Sequence, residues 1–276
     1  MTIKVLVVDD SALIRGVLSE IINAAPDMCV VAAVEDAARA GDAIKRFNPD
    51  VMTLDVEMPG MNGLDFLEQI MRNQPMPVVM ISTHTARGSN TTLRALELGA
   101  IDFVAKPKID PICGMRAYAN ELCEKIRAAQ AAKSWVLGRP RTSVVDNKRL
   151  SNTVLLDERT LKDKLILIGA STGGTEAIKE VLMHLPANIP GILVVQHMPE
   201  MFTGPFAKRL DDQCPIHVKQ AEHGERIKHG TAYIAPGHSH LLVKRVAGSY
   251  VCELSQEISN SYHRPAVDVL FASAAR

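Results

Sequence analysis

Two groups of residues in this sequence have the types and spacing that chemistry needs. The first is acidic: Asp9 and Asp10 close the apolar run KVLVV, and Asp55 closes VMTLD. Carboxylates brought within a few ångströms of one another repel, and a divalent cation such as Mg²⁺ relieves that repulsion through oxygen ligands while keeping positions open for a phosphodonor. One carboxylate, Asp55, can then attack phosphorus and become an acyl phosphate. The ammonium of Lys106, after DFVA, and the hydroxyl of Ser82, after PVVMI, are placed to pair with phosphoryl oxygens. Taken singly, these residues are also ordinary polar chain ends, and Asp10 or Ser11 suits the N-cap of a helix starting at ALIRGVL.

The second group is Gly169-Ala170-Ser171-Thr172-Gly173. The pattern G-x-S-x-G builds a sharp strand-to-helix elbow that exposes the serine Oγ and aims backbone N–H groups at a developing oxyanion. GASTGGTE has no lysine after its glycines and does not fit G-x-G-x-x-G, so it is not a phosphate cradle. A helix N-cap by Ser171 or Thr172 is the alternative. A nucleophilic serine needs a base, and His197 ends the next apolar run, GILVVQ. Adjacent parallel strands put their carboxyl ends about 5 to 10 Å apart, which brings that imidazole within reach of Ser171. Of the nine histidines, His84 falls in the first half, and His184, His217, His223, His229 and His263 fall in helix or loop contexts without matching partners. His238 and His240, in PGHSHLLV, lack the third ligand of a catalytic zinc and read as structural polar contacts.

Positioning these groups calls for two sheets. Five alternations of apolar run and amphipathic stretch fill the first half, which predicts a parallel sheet covered on both faces. Ligands collect beyond the carboxyl ends of such strands, where Asp9, Asp10, Asp55, Ser82 and Lys106 all fall. We place this domain at residues 3–125 and an interdomain linker at 126–163, where periodicity gives way to Gly, Pro, Ser and charges, although TVLLDERTL reads as a short docked piece. A second, doubly wound α/β domain spans 164–276: strands LILIGA, GILVVQH and IHVKQA alternate with helices, then come hairpin-like GTAYIAPG and HLLVKRVAGSYVCEL and a terminal helix in RPAVDVLFASAA.

Composition bounds the function. The chain is 47% hydrophobic and 22% charged, which suits a globular protein, and its formal net charge of zero with 4% aromatics advertises no nucleic-acid surface. MTIKVLVVDD meets charge too soon for a signal peptide and no apolar stretch is long enough to insert in a membrane, so the expected location is cytoplasmic. Five scattered cysteines without a C-x-x-C pair predict reduced thiols.

The order Asp-Asp, Asp, Ser, Lys-Pro at successive strand ends resembles the receiver domain of response regulators, a five-stranded flavodoxin-like fold. That resemblance implies Asp55 as phospho-acceptor, Asp10 and Asp55 as Mg²⁺ ligands with Asp9 acting through water, and the backbone carbonyl of Glu57 as a further ligand. It makes Ser82 the switch hydroxyl and Lys106 the phosphate-sensing cation, and puts Phe103 at the switch aromatic, where a core role is the alternative.

IGASTGGTEAI, VVQHMP, GERIKHGTAYIAPGHSHLLV and HRPAVDVLF are similar to the CheB-type protein-glutamate methylesterase family, whose members carry an N-terminal receiver. The resemblance implies Ser171 as nucleophile, His197 as general base and Thr172 in the oxyanion and substrate vicinity, with no cofactor for hydrolysis. It further implies γ-glutamyl methyl esters and glutamine amides of methyl-accepting chemoreceptors as substrates, the chemotaxis histidine kinase CheA as phosphodonor, and a receiver that blocks the esterase until phosphorylated. The family's third catalytic residue, an Asp in a Met-Gly-x-Asp-Gly segment, has no match here, so the chain reads as C-terminally incomplete, and Asp268 matches a different, helix-packing position. A phospho-switch that binds receptor or kinase without hydrolysis is the alternative function; a DNA-binding output fits neither the neutral charge nor the elbow.

Overall fold

A computed structural model describes residues 2–58, 60–82, 86–106, 113–138, 161, 163–257 and 263–275. The chain divides into two compact units, 1–144 and 145–276. Most of the expected linker and His84 lie outside the described residues.

In the first unit, strands β1 (Ile3–Val8), β2 (Met28–Val34), β3 (Val51–Asp55), β4 (Val78–Ser82) and β5 (Asp102–Ala105) form one parallel sheet in the order β2-β1-β3-β4-β5. Residues 5–8 and 51–55 are wholly enclosed because helices cover both faces, and this is why their sequences run apolar without alternation. Helices α1 (Ala12–Ala24), α2 (Ala37–Phe47), α3 (Gly63–Asn73), α4 (Ala86–Glu97) and α5 (Cys113–Ala131) supply that cover, followed by the short α6 (Lys133–Gly138). Helix α1 buries Ile14, Leu18 and Ile22, one per turn, and its N-cap is Ser11, whose side chain accepts the Ile14 N–H. Helix α5 departs from the expected boundary at 126: Ile126 and Ala129 on α5 and Val136 on α6 are buried in the first unit's core. Their apolar spacing continues the packing that the mixed composition after residue 126 obscures, so the folded chain of this unit runs on to 138.

In the second unit, β6 (Leu165–Ala170), β7 (Gly191–Gln196), β8 (His217–Gln220) and β9 (Thr231–Ile234) form a parallel sheet in the order β6-β7-β9-β8. Helices α7 (Gly174–Met183) and α8 (Glu200–Gln213) connect the early strands. GTAYIAPG is thus a central parallel strand between β7 and β8, not part of a hairpin; its local sequence carries no mark of the two long-range pairings that set its direction. HLLVKRVAGSYVCEL is the antiparallel hairpin expected, β10 (His240–Val246) against β11 (Ser249–Ser255). Leu241, Val243 and Cys252 of the hairpin and Leu270 of α9 (Val267–Ala274) share one core with Leu193, Val195 and Tyr233 of the sheet. Cys29, Cys123, Cys214 and Cys252 are free thiols, and burial pushes Cys252 up to about 12. Among the described residues, no helix is long and apolar enough to cross a membrane.

His240 joins the hairpin to the start of α9: its buried ring accepts the Ala266 N–H at Nδ1, 3.1 Å away. Burial, aided by the charge of Arg264, holds this imidazole below its ordinary value. The unfolded chain takes up the proton near pH 6.5 and the folded chain only at lower pH, so the stabilisation present above about 6.5 is lost as pH falls. His240→Gln should therefore show a shallower acid-side decline in thermal midpoint than the parent, measured by circular dichroism melts across pH. An unchanged slope would remove His240 as its source.

Candidate functional site

The first site lies at the crevice where β1 and β3 end, the point at which strand order reverses. Asp9, just past β1, and Asp55, at the end of β3, have no solvent exposure, whereas Asp10 is exposed. Carboxylate oxygens of all three lie within 4.8 Å of one another. Asp9 Oδ1 accepts the Ser11 N–H (2.9 Å) and Asp55 Oδ1 accepts the Glu57 N–H (3.2 Å), so each acid is fixed by the turn that follows it. Lys106 comes in from the end of β5: its Nζ is 2.8 Å from Asp55 Oδ2 and 3.1 Å from Asp9 Oδ2, and its own N–H donates to the Ser82 carbonyl.

Burial pushes the Asp55 carboxyl up to about 6; the charge of Asp9 adds to the rise, and the Lys106 hydrogen bond and charge oppose it. By count of charge, one ammonium does not compensate three carboxylates. A hard divalent ion with oxygen ligands does, and the donor set of Asp9, Asp10 and Asp55 fits Mg²⁺.

No sequence motif marks Thr92 on α4, whose hydroxyl is hydrogen-bonded to Ser82 Oγ (2.6 Å) and to the Gly88 carbonyl (2.7 Å). The switch-position side chain Phe103 is buried, with Lys125 Nζ 5.1 Å from its ring centre and 2.6 Å from its carbonyl. Burial alone would lower the Lys125 ammonium, but Asp102 and Glu121 raise it above its ordinary value. Phe103 thus takes the core placement in this structure.

The second site lies at the ends of β6 and β7. Their parallel register pairs Ala170 with Gln196, and the next residue on each strand is Ser171 and His197. His197 N–H donates to the Ala170 carbonyl (3.1 Å), and Nδ1 of its ring is 3.3 Å from Ser171 Oγ. Ser171 is exposed and His197 half-buried, with Thr172 half-buried beside them. Neither Ser171 nor Thr172 caps α7: the N-cap is Gly173, at φ 77°, a conformation that a side chain disfavours, and no side-chain cap bond forms there. The elbow therefore leaves the serine hydroxyl to the histidine.

His263, which the sequence reading left without a partner, stacks on His197 with ring centres 4.4 Å apart and planes inclined by 24°. The only hint in the sequence was its place at the head of HRPAVDVLF. Asp268 is in the first turn of α9 and exposed. Glu222 and Glu225 pair with Lys219, and Glu253 with Lys244.

A buried acidic pocket in one α/β unit and a serine–histidine pair on the sheet of the other suit a response regulator whose output is a hydrolase. The comparisons agree. The response regulator receiver domain matches residues 5–113 and the CheB methylesterase family matches residues 166–276. The protein-glutamate methylesterase/protein-glutamine glutaminase of Nitrosomonas europaea is 57% identical over 276 residues, covering 99% of this chain and 76% of that protein. Its namesake in Thiobacillus denitrificans is 56% identical over 277 residues, covering 100% of this chain and 77% of the relative. The crystal structure of the Thermotoga maritima CheB methylesterase catalytic domain is 42% identical with a TM-score of 0.40, over 41% of this chain and 60% of that one. This chain belongs to the CheB methylesterase family and carries a receiver domain at its N-terminal side.

If the acidic pocket holds Mg²⁺ as its donor set suggests, Asp10→Asn should weaken Mg²⁺ binding by at least about tenfold, read by calorimetric titration. Unchanged affinity would take Asp10 out of the ligand set.

Proposed function

We propose that this chain is a phosphorylation-regulated protein-glutamate methylesterase and protein-glutamine glutaminase that acts on methyl-accepting chemoreceptors in the cytoplasm. The observation that carries this reading is the 3.3 Å approach of His197 Nδ1 to Ser171 Oγ at adjoining strand ends, on an elbow that leaves the hydroxyl exposed. The relatives' shared name supports the substrate class.

In this reading Ser171 Oγ attacks the γ-carbonyl of a glutamyl methyl ester while His197 Nδ1 takes its proton. The nitrogen facing Oγ must hold the lone pair, so the neutral ring carries its proton on Nε2 before the attack. The oxyanion forms beside Thr172, near the N-terminus of α7, where backbone N–H groups and the helix dipole favour negative charge. The tetrahedral adduct collapses as the C–O bond breaks and His197 gives its proton to the departing methoxide oxygen, releasing methanol; with a glutamine amide the C–N bond breaks, the nitrogen takes the proton and ammonia leaves. Water then attacks the acyl-serine with His197 again as base, which releases a glutamate carboxylate and restores Ser171. His263, stacked on the base, limits the tilt of the ring.

Regulation runs through the acidic pocket. Asp55 is the phospho-acceptor and CheA the donor; Asp9, Asp10, Asp55 and the Glu57 carbonyl would hold Mg²⁺, which when bound would supply positive charge to offset the crowded carboxylates and a phosphodonor's oxygens. Lys106 and Ser82 then bind the phosphoryl group that Asp55 acquires; the Ser82 hydroxyl accepts from Thr92 and keeps its own proton to donate. We assign residues 3–125 with the helical extension to 138 to the receiver, the following stretch to the linker, and 164–276 to the esterase.

Two outcomes test the two halves separately. Asp55→Asn should take up no phosphate from acetyl phosphate with Mg²⁺, measured by mass spectrometry, and labelling at the parent's level would refute the acceptor assignment. Where the parent chain releases methanol from methylated receptor, Ser171→Ala should release none; continued release would remove Ser171 from the mechanism.

A further inference from the structure

We infer that Gln196 is a positioning residue for the serine–histidine pair, an inference that rests on the esterase reading above. Gln196 ends β7 after the wholly apolar run GILVV, and it is 4% exposed. Burying a primary amide among apolar side chains costs free energy unless its hydrogen bonds are recovered. Here the recovery is specific. Its Nε2 donates to the Ser171 carbonyl at 2.9 Å and to the His197 carbonyl at 3.3 Å. One amide thus ties together the main chains of the two residues whose side chains meet 3.3 Å apart.

The location explains why a side chain is needed there. The β6–β7 ladder reaches the His197 N–H to Ala170 carbonyl bond, and past it the two chains part, one into the elbow and the other towards α8. No regular ladder bond fixes the distance between residues 171 and 197 beyond that point. The two hydrogens of the Gln196 amide continue the cross-strand link where the backbone can no longer supply it. Room for the amide comes from Gly174: a Cβ there would stand 2.1 Å from Gln196 Oε1. That oxygen is buried and has no hydrogen-bond partner among the described residues, so the links this amide makes there run through its donors.

The amide acts through Ser171 and His197 and touches no reacting atom, so its loss shows in turnover more than in substrate affinity. The experiment compares the parent chain with Gln196→Met, of similar length but without donors, and Gln196→Glu, whose carboxylate faces two carbonyls. For Gln196→Met, kcat on methylated receptor should fall about 10- to 100-fold while KM stays within about twofold, since small misplacement of reacting groups is costly to rate. Parent-like kcat in a folded Gln196→Met overturns the inference. For Gln196→Glu, the ratio of its kcat to the parent's at the same pH should climb on acidification, because a protonated carboxyl regains one donor and loses its repulsion for the carbonyls. A ratio flat with pH overturns the inference even if Gln196→Met fails to fold. Ser171→Ala run alongside separates the two assignments: methanol release persisting there defeats the esterase reading itself, whereas its loss beside a parent-like Gln196→Met defeats only the role of the amide.

Discussion

Parallel strand pairing is the constraint on which both sites depend. In a parallel sheet every strand ends on the same side, so residues distant in sequence meet at one rim without any of them having to bend the chain to get there. In the first unit the reversal of order between β1 and β3 parts the covering helices and leaves a crevice, and Asp9, Asp10 and Asp55 occupy it. In the second unit the pairing of Ala170 with Gln196 settles where Ser171 and His197 stand before any side chain is considered. A register shift by one residue would turn each of these side chains to the opposite face.

The corresponding rims of the two units differ in their exposure to solvent. In the first, Asp55 and Asp9 are without exposure, held by neighbouring amides and a shared lysine. In the second, Ser171 is exposed at its elbow, as the proposed attack on a protein side chain requires. The difference follows from what comes after each strand. Past β3 the chain turns back so that the Glu57 amide bonds to Asp55, whereas past β6 the glycine-rich turn stands clear and starts α7 without a side-chain cap.

Much of this was legible in the sequence because it depends on local pattern. Unbroken apolar runs gave the buried strands, the acids and lysine stood at their ends, and G-x-S-x-G with a histidine one strand later located the pair. What was not legible comes from tertiary packing. Thr92 meets Ser82 only because α4 lies against β4, and His263 meets His197 only because the chain returns after the hairpin. Nothing local in the sequence shows that the Gln196 amide bridges two carbonyls. The direction of β9 and the continuation of α5 past residue 126 escaped for the same reason: each is decided by partners far away in the chain.

The enclosed bridge from Lys106 to Asp9 and Asp55 bears on ionic strength. Mobile ions weaken attraction between charges they can surround, over a screening distance of about 8 Å in physiological salt. Exposed pairs such as Arg72 with Glu68 lie open to them. The two acids have no accessible surface and the lysine is 18% exposed, so monovalent salt screens this bridge less than it screens an exposed pair. Added salt therefore weakens the exposed pairs of this protein more than it weakens the charge arrangement at Asp55.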